Sequence, residues 1–567
     1  MSVKQKKRVL VSAALPYVNN VPHIGHIVGS HLPADIFARY SRLQGHETVF
    51  IGGSDEHGTP SELAALELKM PTEQFCAKIH KVHKEIYDWF GISYDIFSRT
   101  SKKLHHQTTQ EFFNRIYKNG HISEGAMQMY FCDKDNRFLP DRYVEGKCLK
   151  CGYDKASGDQ CEKCTSFLET KDLVNPKCKI CGSTPHIKET KHLFINLEHF
   201  SDRLKEWIEA QKQWKVQVSS MALGWIKEGL RPRCITRDLN WGVKVPLKEY
   251  SNKVFYVWFD APIGYVSFVK EAVPKKWKKF WQDKDTKIYH FLGKDNIIFH
   301  TIFWPAILLA DATCNLPYQV AGLQYLNYEG QKISKSKKWG IFCEKFPSSG
   351  INPDIMRAYL IYLLPETSDT EFKWVDFVER INKELIGTFG NFANRSLTMI
   401  ASKLNSKITC PKEQSEEDKK LLETIKQKIV LIESLIEEIN LRSAFKEILA
   451  LAAEGNKYFD HAQPWKTIVE SPQKAQATLY YCTLLSKTLS ILVAPFLPKT
   501  AESLWAQVGM KESVHSPKSW DELHKLALPK KHTIGTPSIL FEKLLPEFVE
   551  RFKKAVTEPT QIEEFFK

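Results

Sequence analysis

Val9-Leu10-Val11-Ser12, then Ala13-Ala14-Leu15-Pro16-Tyr17-Val18-Asn19-Asn20-Val21-Pro22, then His23-Ile24-Gly25-His26, is the stretch that decides how this chain folds. A short β-branched run without polar alternation suits a strand buried on both faces of a parallel sheet. After the loop, a helical pattern runs through Ile36, Phe37, Tyr40 and Leu43 and stops at Gly45. Pro33 lies inside it and is expected to bend or interrupt that helix. His23-Ile24-Gly25-His26 therefore opens a helix after the first strand, where free backbone N–H groups favour an anion. Gly25 would let a phosphate or an adenine ring approach the backbone, and two imidazoles can donate to phosphate oxygens. Alone, His-x-Gly-His is equally compatible with a structural turn.

The pattern repeats outward. Thr48–Ile51 reads as a second strand ending at Gly52-Gly53, and Lys287–Leu292 and Tyr318–Ala321 as two more. Strands alternating with helices imply a parallel, doubly wound α/β sheet with ligands at the carboxyl ends of its strands. From about Asn119 to Cys234 the rhythm is interrupted by a segment rich in Cys, Gly, Lys and Asp, as expected of an insertion folded around metal. Beyond Gly340 the character changes again. Ser415 can cap a helix with apolar positions Leu422, Ile425, Ile429, Ile432, Ile436 and Ile439, and helical pattern continues over Ser443–Tyr458 and Ala475–Leu492, giving an α-bundle.

With 567 residues the chain is expected to hold several domains. Its net charge of +14 suits a polyanionic partner such as nucleic acid, or a merely Lys-rich solvated surface. No apolar run reaches the roughly 18 to 20 residues of a membrane span. Lys4, Lys6, Lys7 and Arg8 before Val9–Leu15 mimic a signal peptide, but the apolar stretch is short and ends in Pro16-Tyr17-Val18-Asn19-Asn20. Thirteen Cys include Cys148-x2-Cys151-x9-Cys161-x2-Cys164-x13-Cys178-x2-Cys181. That spacing favours structural zinc in a reducing, cytosolic compartment over a disulfide scaffold. Cys148, Cys151, Cys161 and Cys164 form the best single site.

Lys332-Ile333-Ser334-Lys335-Ser336, between Gly330 and Gly340, reads alone as a solvated basic loop. Bracketing glycines let it move, and its lysines and hydroxyls suit polyphosphate charge. Together with Pro22–His26 it resembles the paired HIGH and KMSKS signatures of class I aminoacyl-tRNA synthetases, with Ile333 in place of the usual Met. The resemblance extends to the methionyl-tRNA synthetase family through Ala14–Tyr17, Gly53–Thr59, Phe138-Leu139-Pro140-Asp141-Arg142, Tyr256-Val257-Trp258-Phe259-Asp260-Ala261-Pro262-Ile263-Gly264-Tyr265 and Phe299-His300-x-x-Phe303-Trp304-Pro305.

That resemblance implies methionine activation by ATP, then transfer of methionine to the 3′ end of tRNA(Met). It implies a Rossmann-type catalytic domain in two halves, 1–118 and 236–345, split by a zinc-knuckle insertion, 119–235. A linking segment, 346–385, and an all-α anticodon-binding domain, 386–567, would follow. It carries over His23, His26, Lys332 and Lys335 as catalytic phosphate-binding residues, with Gly25, Gly293, Asp295 and Ser334 also at ATP and Mg²⁺ accompanying it. Methionine would be held by Ala14, Leu15, Tyr17, Asp55, Trp258, Ala261, Pro262, Tyr265, Phe299, His300 and Trp304. Asp55 would take the ammonium, aromatic rings the thioether, and Tyr265 and His300 could sense the sulfur. On periodicity alone most of these aromatics read as core. Asn391, Arg395 and Trp465 would read the anticodon.

Relatives with four Cys pairs hold two zincs. Here Cys132-x-x-Asp135 stands where a pair is expected, so a second site at Cys178 and Cys181 needs re-paired ligands, an Asp oxygen or His186. The insertion is too short for the large editing domain of the isoleucyl, valyl and leucyl relatives, and the chain stops soon after the bundle, so a monomer is expected. Two other readings are an adenylate-forming nucleotidyltransferase, disfavoured by the α-bundle and charge, and a non-catalytic RNA-binding paralogue, disfavoured by the intact His23, His26, Lys332 and Lys335.

Overall fold

Five parallel strands form the central sheet of the computed structural model, which describes residues 6–158, 161, 163–164, 168, 173–335 and 337–566. They are β1 (Arg8–Ala13), β2 (Glu47–Ser54), β3 (Ile96–Arg99), β4 (Thr286–Gly293) and β5 (Gln319–Leu323), in the order β5-β4-β1-β2-β3. Every pairing is parallel. β1 is central and buried on both faces from Val9 onward, which is why its sequence shows no alternation. The chain turns to β2 on one side of β1 and returns as β4 on the other, so the strand order reverses at β1. A crevice opens there, beyond the carboxyl ends of β1 and β4, and such a reversal is where ligands of doubly wound sheets sit.

The regular helix is interrupted ahead of Pro33. A π-helical turn, Ile27–His31, shifts the register just ahead of the helix Leu32–Leu43. Pro33 then lies just behind that turn in a run that is helical on both sides, His31 at φ −73° and ψ −46° included, and the π-turn takes up the hydrogen bond that its ring cannot donate. The same device recurs at Pro305, in the first turn of the helix Trp304–Asp311 behind a π-turn at Phe299–Phe303. Both turns lie beside the crevice.

The insertion is built on a long antiparallel pair, Ile122–Cys132 with His186–Ile195. Between them a small sheet joins Val144–Cys148 to Ala156–Ser157 and Leu173–Cys178.

In the helical part, Ser415 and Asp418 form a capping box at the start of Glu416–Glu437. The buried face of that helix is Leu421, Ile425, Ile429, Ile432 and Ile436, so Leu421, not Leu422, starts the stripe, and Ile439 lies past the helix end at φ 56°. Leu441–Ala462 packs beside it, and Pro472–Val493 is buried almost all round. Arg357, fully buried, ties this part to helices that flank the sheet. It pairs with Asp35 at 2.8 Å and donates to the Phe90, Pro495 and Phe496 carbonyls.

Candidate active site, metal clusters and RNA-facing surface

The two motifs meet through backbone hydrogen bonds. Ile24 N donates to Ile341 O at 3.1 Å, and Cys343 N to Pro22 O at 3.0 Å. The segment leaving the lysine loop is thus stitched to the histidine motif. The loop itself is a hairpin, Leu326–Tyr328 with Gln331–Lys332, turned through Glu329 and Gly330 at positive φ. Ser334 bridges Trp339, whose indole donates to Tyr328 O. Gly340, at φ +150°, lies where an added Cβ would come within 2.6 Å of Ile333 Cγ2. Ser336 lies outside the described residues.

His23 Nδ1 accepts from Gly25 N, and His26 Nδ1 accepts from His23 N, both at 3.1 Å. These contacts place the ring proton of each neutral imidazole on Nε2. Burial holds both imidazoles well below the ordinary histidine range. The Lys335 charge pushes His23 in the same direction, and His23 and Lys335 add to the effect on His26. Each ring is therefore a neutral Nε2–H donor at neutral pH. A Cβ on Gly25 would strike the His23 ring at 2.9 Å.

A cavity of about 270 Å³ is lined by Ala14, Leu15, His23, Gly25, His26, Gly293, Asp295 and Lys332, among others. Lys332 Nζ sits 4.3 Å from the centre of the Tyr325 ring, and Tyr325 donates its hydroxyl to Asp295. Ser334 and Lys335 continue the loop beyond this lining. Burial pushes the Lys335 ammonium down to about 7, against an upward pull from Glu344.

Asp55 follows β2. It is buried with Oδ1 unpartnered, and burial, then the charge of Asp260, pushes its carboxyl well up. Its backbone N donates to Pro16 O at 2.9 Å and its carbonyl accepts from Val18 N, which places it beside Leu15 and Tyr17. Ala261, Pro262, Tyr265, His300 and Trp304 are buried, whereas Trp258 and Tyr17 remain 44% and 39% exposed at the rim. Trp258 meets Phe299 edge to face at 6.2 Å. His300 Nδ1 donates to Asn296 O at 2.9 Å, so its Nε2 accepts the Tyr265 hydroxyl proton at 2.8 Å. The Tyr265 proton is thereby engaged by His300 and the His300 proton by the Asn296 carbonyl, leaving ring faces as the surface a thioether would meet.

Several neighbours were not singled out from sequence. His290 accepts from Trp304 Nε1 at 3.2 Å. Arg237 lies 3.8 Å above the Tyr256 ring in a cleft shared with Tyr17, Trp241 and Trp258. No local spacing announces either residue.

Two metal-competent clusters stand in the insertion. Cys148, Cys151, Cys161 and Cys164 bring their sulfurs within 4.8 Å of one another, with Cys148–Cys164 at 3.8 Å and Cys151–Cys161 at 3.5 Å. The second comprises Cys132, Asp135, Cys178 and Cys181. Asp135 Oδ2 lies 3.0 Å from Cys178 Sγ and 3.3 Å from Cys132 Sγ, and Cys132–Cys181 is 3.5 Å. His186 turns away to Asp133 at 3.1 Å. Gly152 and Gly182, both at φ 73°, close the two knuckle turns. No disulfide joins cysteines among the described residues.

In the helical part Asn391 and Arg395 share the helix Asn391–Lys403. Arg395 donates to Asp460 at 2.7 Å and lies 4.8 Å over Phe459 and 5.9 Å over Trp465. Trp465 packs one side near Phe459 and stays 43% exposed. The structure thus brings Arg395 and Trp465 together, with Asn391 exposed a turn away.

The family described as tRNA synthetases class I (M) matches residues 9–397, and the anticodon binding domain of methionyl tRNA ligase matches residues 410–558. The methionine–tRNA ligase of Borrelia duttonii is 42% identical over 558 residues, covering 97% of this chain and 74% of its own. That of Pyrococcus furiosus is 41% identical over 558 residues, covering 94% and 75%. A solved structure, Mycobacterium tuberculosis methionyl-tRNA synthetase in complex with methionyl-adenylate, has the same fold, with a TM-score of 0.79 at 24% identity over 95% of this chain and 100% of that one.

Proposed function

Because the chain belongs to the class I methionine–tRNA ligases, enzymes that activate methionine with ATP and charge tRNA with it, we propose a division of labour among its side chains. In the first half-reaction the methionine carboxylate attacks the α-phosphorus in line and pyrophosphate leaves. No side chain need act as nucleophile, so the protein's contribution is positioning and stabilisation of phosphate charge. His23 and His26, fixed as Nε2–H donors, serve the α-phosphate, and Gly25 admits the nucleotide. Gly293 and Asp295 hold the ribose. Lys332 and Lys335, with Ser334, take the β- and γ-phosphates as the loop closes. Mg²⁺ bound with ATP would supply further neutralisation. In the second half-reaction the terminal ribose hydroxyl of tRNA attacks the adenylate carbonyl and AMP leaves.

Asp55 takes the methionine ammonium. Leu15, Ala14, Tyr17, Trp258, Ala261, Pro262, Tyr265, Phe299, His300 and Trp304 enclose the side chain. A polarizable thioether on ring faces suits the engaged Tyr265 and His300. Asn391, Arg395 and Trp465 read the anticodon, with Trp465 as stacking platform and Arg395 at the base edge. The halves 1–118 and 236–345 make the catalytic domain, 119–235 the insertion, 346–385 the link and 386–567 the anticodon domain. The protein acts in the cytoplasm as a monomer. No helix among the described residues is long and apolar enough to cross a membrane.

The donors present fit zinc. Sulfur separations of 3.5–3.8 Å are the edges of a tetrahedron with bonds of about 2.3 Å. Cys148, Cys151, Cys161 and Cys164 would hold one structural ion. Cys132, Asp135, Cys178 and Cys181 would hold a second through an Asp oxygen. Closed sites of this kind leave no position for water and would serve the fold of the insertion.

The observation that carries the catalytic reading is the single cavity at the sheet's reversal point that gathers His23, Gly25, His26, Gly293, Asp295 and Lys332. Amino-acid-dependent pyrophosphate exchange across all twenty amino acids tests it, followed by transfer to tRNA with intact and altered methionine anticodons. Exchange favouring cysteine or leucine defeats the amino-acid assignment. Indifference to the anticodon defeats the assignment of Asn391, Arg395 and Trp465.

A further inference from the structure

Two buried side chains beside the amino-acid pocket have no part in that scheme. His57 follows Asp55 and Glu56 after β2, and Asp260 ends the short helix Val257–Asp260 that carries Trp258. His57 Nδ1 and Asp260 Oδ2 lie 2.6 Å apart, and the side chains are 1% and 0% exposed. His105 completes a group of three whose potential ligand atoms lie within 4.8 Å of one another. A shared ion does not explain the group. Ligand atoms bound tetrahedrally at about 2.0–2.1 Å stand more than about 3 Å apart, so 2.6 Å is a hydrogen bond. His105 is spoken for on both nitrogens, by Ser267 Oγ at 3.0 Å and Thr109 Oγ1 at 3.3 Å.

The bond joins elements that arise from opposite sides of the insertion. His57 belongs to the tripeptide Asp55-Glu56-His57, whose other anchors are equally firm. Arg99 pairs with Glu56 Oε1 at 2.7 Å, and Trp241 Nε1 donates to Glu56 O at 2.6 Å. Glu56 fixes one side of Asp55's neighbourhood to β3, and His57 fixes the other to the helix bearing Trp258. Asp55 Oδ1 is left unpartnered and buried between them.

We propose that the His57–Asp260 bond is a positioning device for amino-acid recognition. It sets the Asp55 carboxylate and the Trp258 helix in register, so that the ammonium of the substrate meets Asp55 while its side chain meets the rings. The inference rests on the assignment of Asp55 to that ammonium. His57 and Asp260 touch neither substrate nor phosphate. They act through Asp55 and Trp258.

Three variants separate the possibilities: Asp55→Asn, His57→Leu and His57→Asn, whose amide can still donate to Asp260. Each is measured for methionine KM, ATP KM and Tm, and for inhibition by 4-(methylthio)butanoate, which lacks only the ammonium of methionine. His57→Leu should raise methionine KM at least about tenfold, as misplaced recognition groups do. It should leave ATP KM and inhibition by the desamino acid within about twofold. His57→Asn should recover most of the loss. Equal losses for methionine, ATP and the desamino acid, tracking Tm, would make the pair merely structural and overturn the proposal. So would an unchanged methionine KM in His57→Leu while Asp55→Asn binds poorly. If Asp55→Asn itself binds methionine normally, the ammonium assignment falls and this inference with it.

Discussion

Raising the pH from 6 to 8 should lower kcat/KM for ATP roughly tenfold, and Lys335 should be the cause. In the unliganded protein its ammonium is pushed down to about 7 by burial. With a midpoint there, about nine-tenths of the molecules carry the charge at pH 6 and about one-tenth at pH 8. The sign follows from the lysine being charged below its midpoint and neutral above it. ATP must meet the charged form, so alkaline conditions disfavour capture. Once the polyphosphate is bound, its negative charge restores the ammonium and kcat should stay nearly flat. Glu344 pulls the midpoint upward, so Glu344→Gln should move the decline to lower pH. Lys335→Arg should abolish the decline, because a guanidinium stays charged throughout. Lys335→Ala should slow adenylate formation at every pH while leaving methionine affinity nearly intact. Stopped-flow adenylate formation over pH 6–8 at limiting ATP is the assay. The reasoning is refuted by a wild-type profile that Lys335→Arg reproduces, or by a midpoint that Glu344→Gln leaves in place.

Trp465→Ala should leave pyrophosphate exchange near wild type and reduce aminoacylation about tenfold to a hundredfold, the worth of one stacked base. A variant that still discriminates an altered anticodon as well as wild type would make Trp465 a packing residue. Metal analysis should find two zinc ions per chain. Asp135→Ala should remove one, Asp135→Cys should keep both, and Cys148→Ala should destabilise the insertion, whereas zinc-free active protein would defeat both sites. Arg357→Met should cost about 3–5 kcal/mol in urea unfolding, since Asp35 loses its fully buried partner. A loss below 1 kcal/mol would show that Arg39 suffices for that carboxylate.

The strands that carry the site were legible because burial leaves β-branched or aromatic runs, unbroken in Val9–Val11 and broken only by His290 in Ile288–Leu292. β3 was not, since it is four residues long and lies at the sheet edge with only Ser98 fully buried. Leu421 and Leu422 could not be told apart from spacing. Neighbouring leucines both fit a three-and-four repeat, and packing chooses between them. Asp135 could be named as a candidate ligand. That His186 instead meets Asp133, in the turn after Cys132, is a contact between segments 53 residues apart and shows only in the fold.

Where local reading failed most, the site is involved. Pro33 was the residue that helical pattern could not place, and it sits behind a π-turn beside the crevice, as Pro305 does. A π-turn widens the helix by one residue, which changes the direction in which the preceding side chains project. That turn follows His26 directly in one case and contains Phe299 and His300 in the other. A regular helix through either proline would keep the periodicity and move those rings. Disagreement between proline and pattern was therefore a signal in the sequence, since element geometry is bent away from local rules where side chains must be aimed. The same logic separates His57 from His23. Both stand in short motifs, but His23 is aimed by Gly25 two residues away, whereas His57 is aimed by Asp260, 203 positions distant. Only the first kind of constraint is written locally, so the proposed phosphate-binding residues could be argued from the chain while the proposed positioning of Asp55 by His57 and Asp260 required the folded structure.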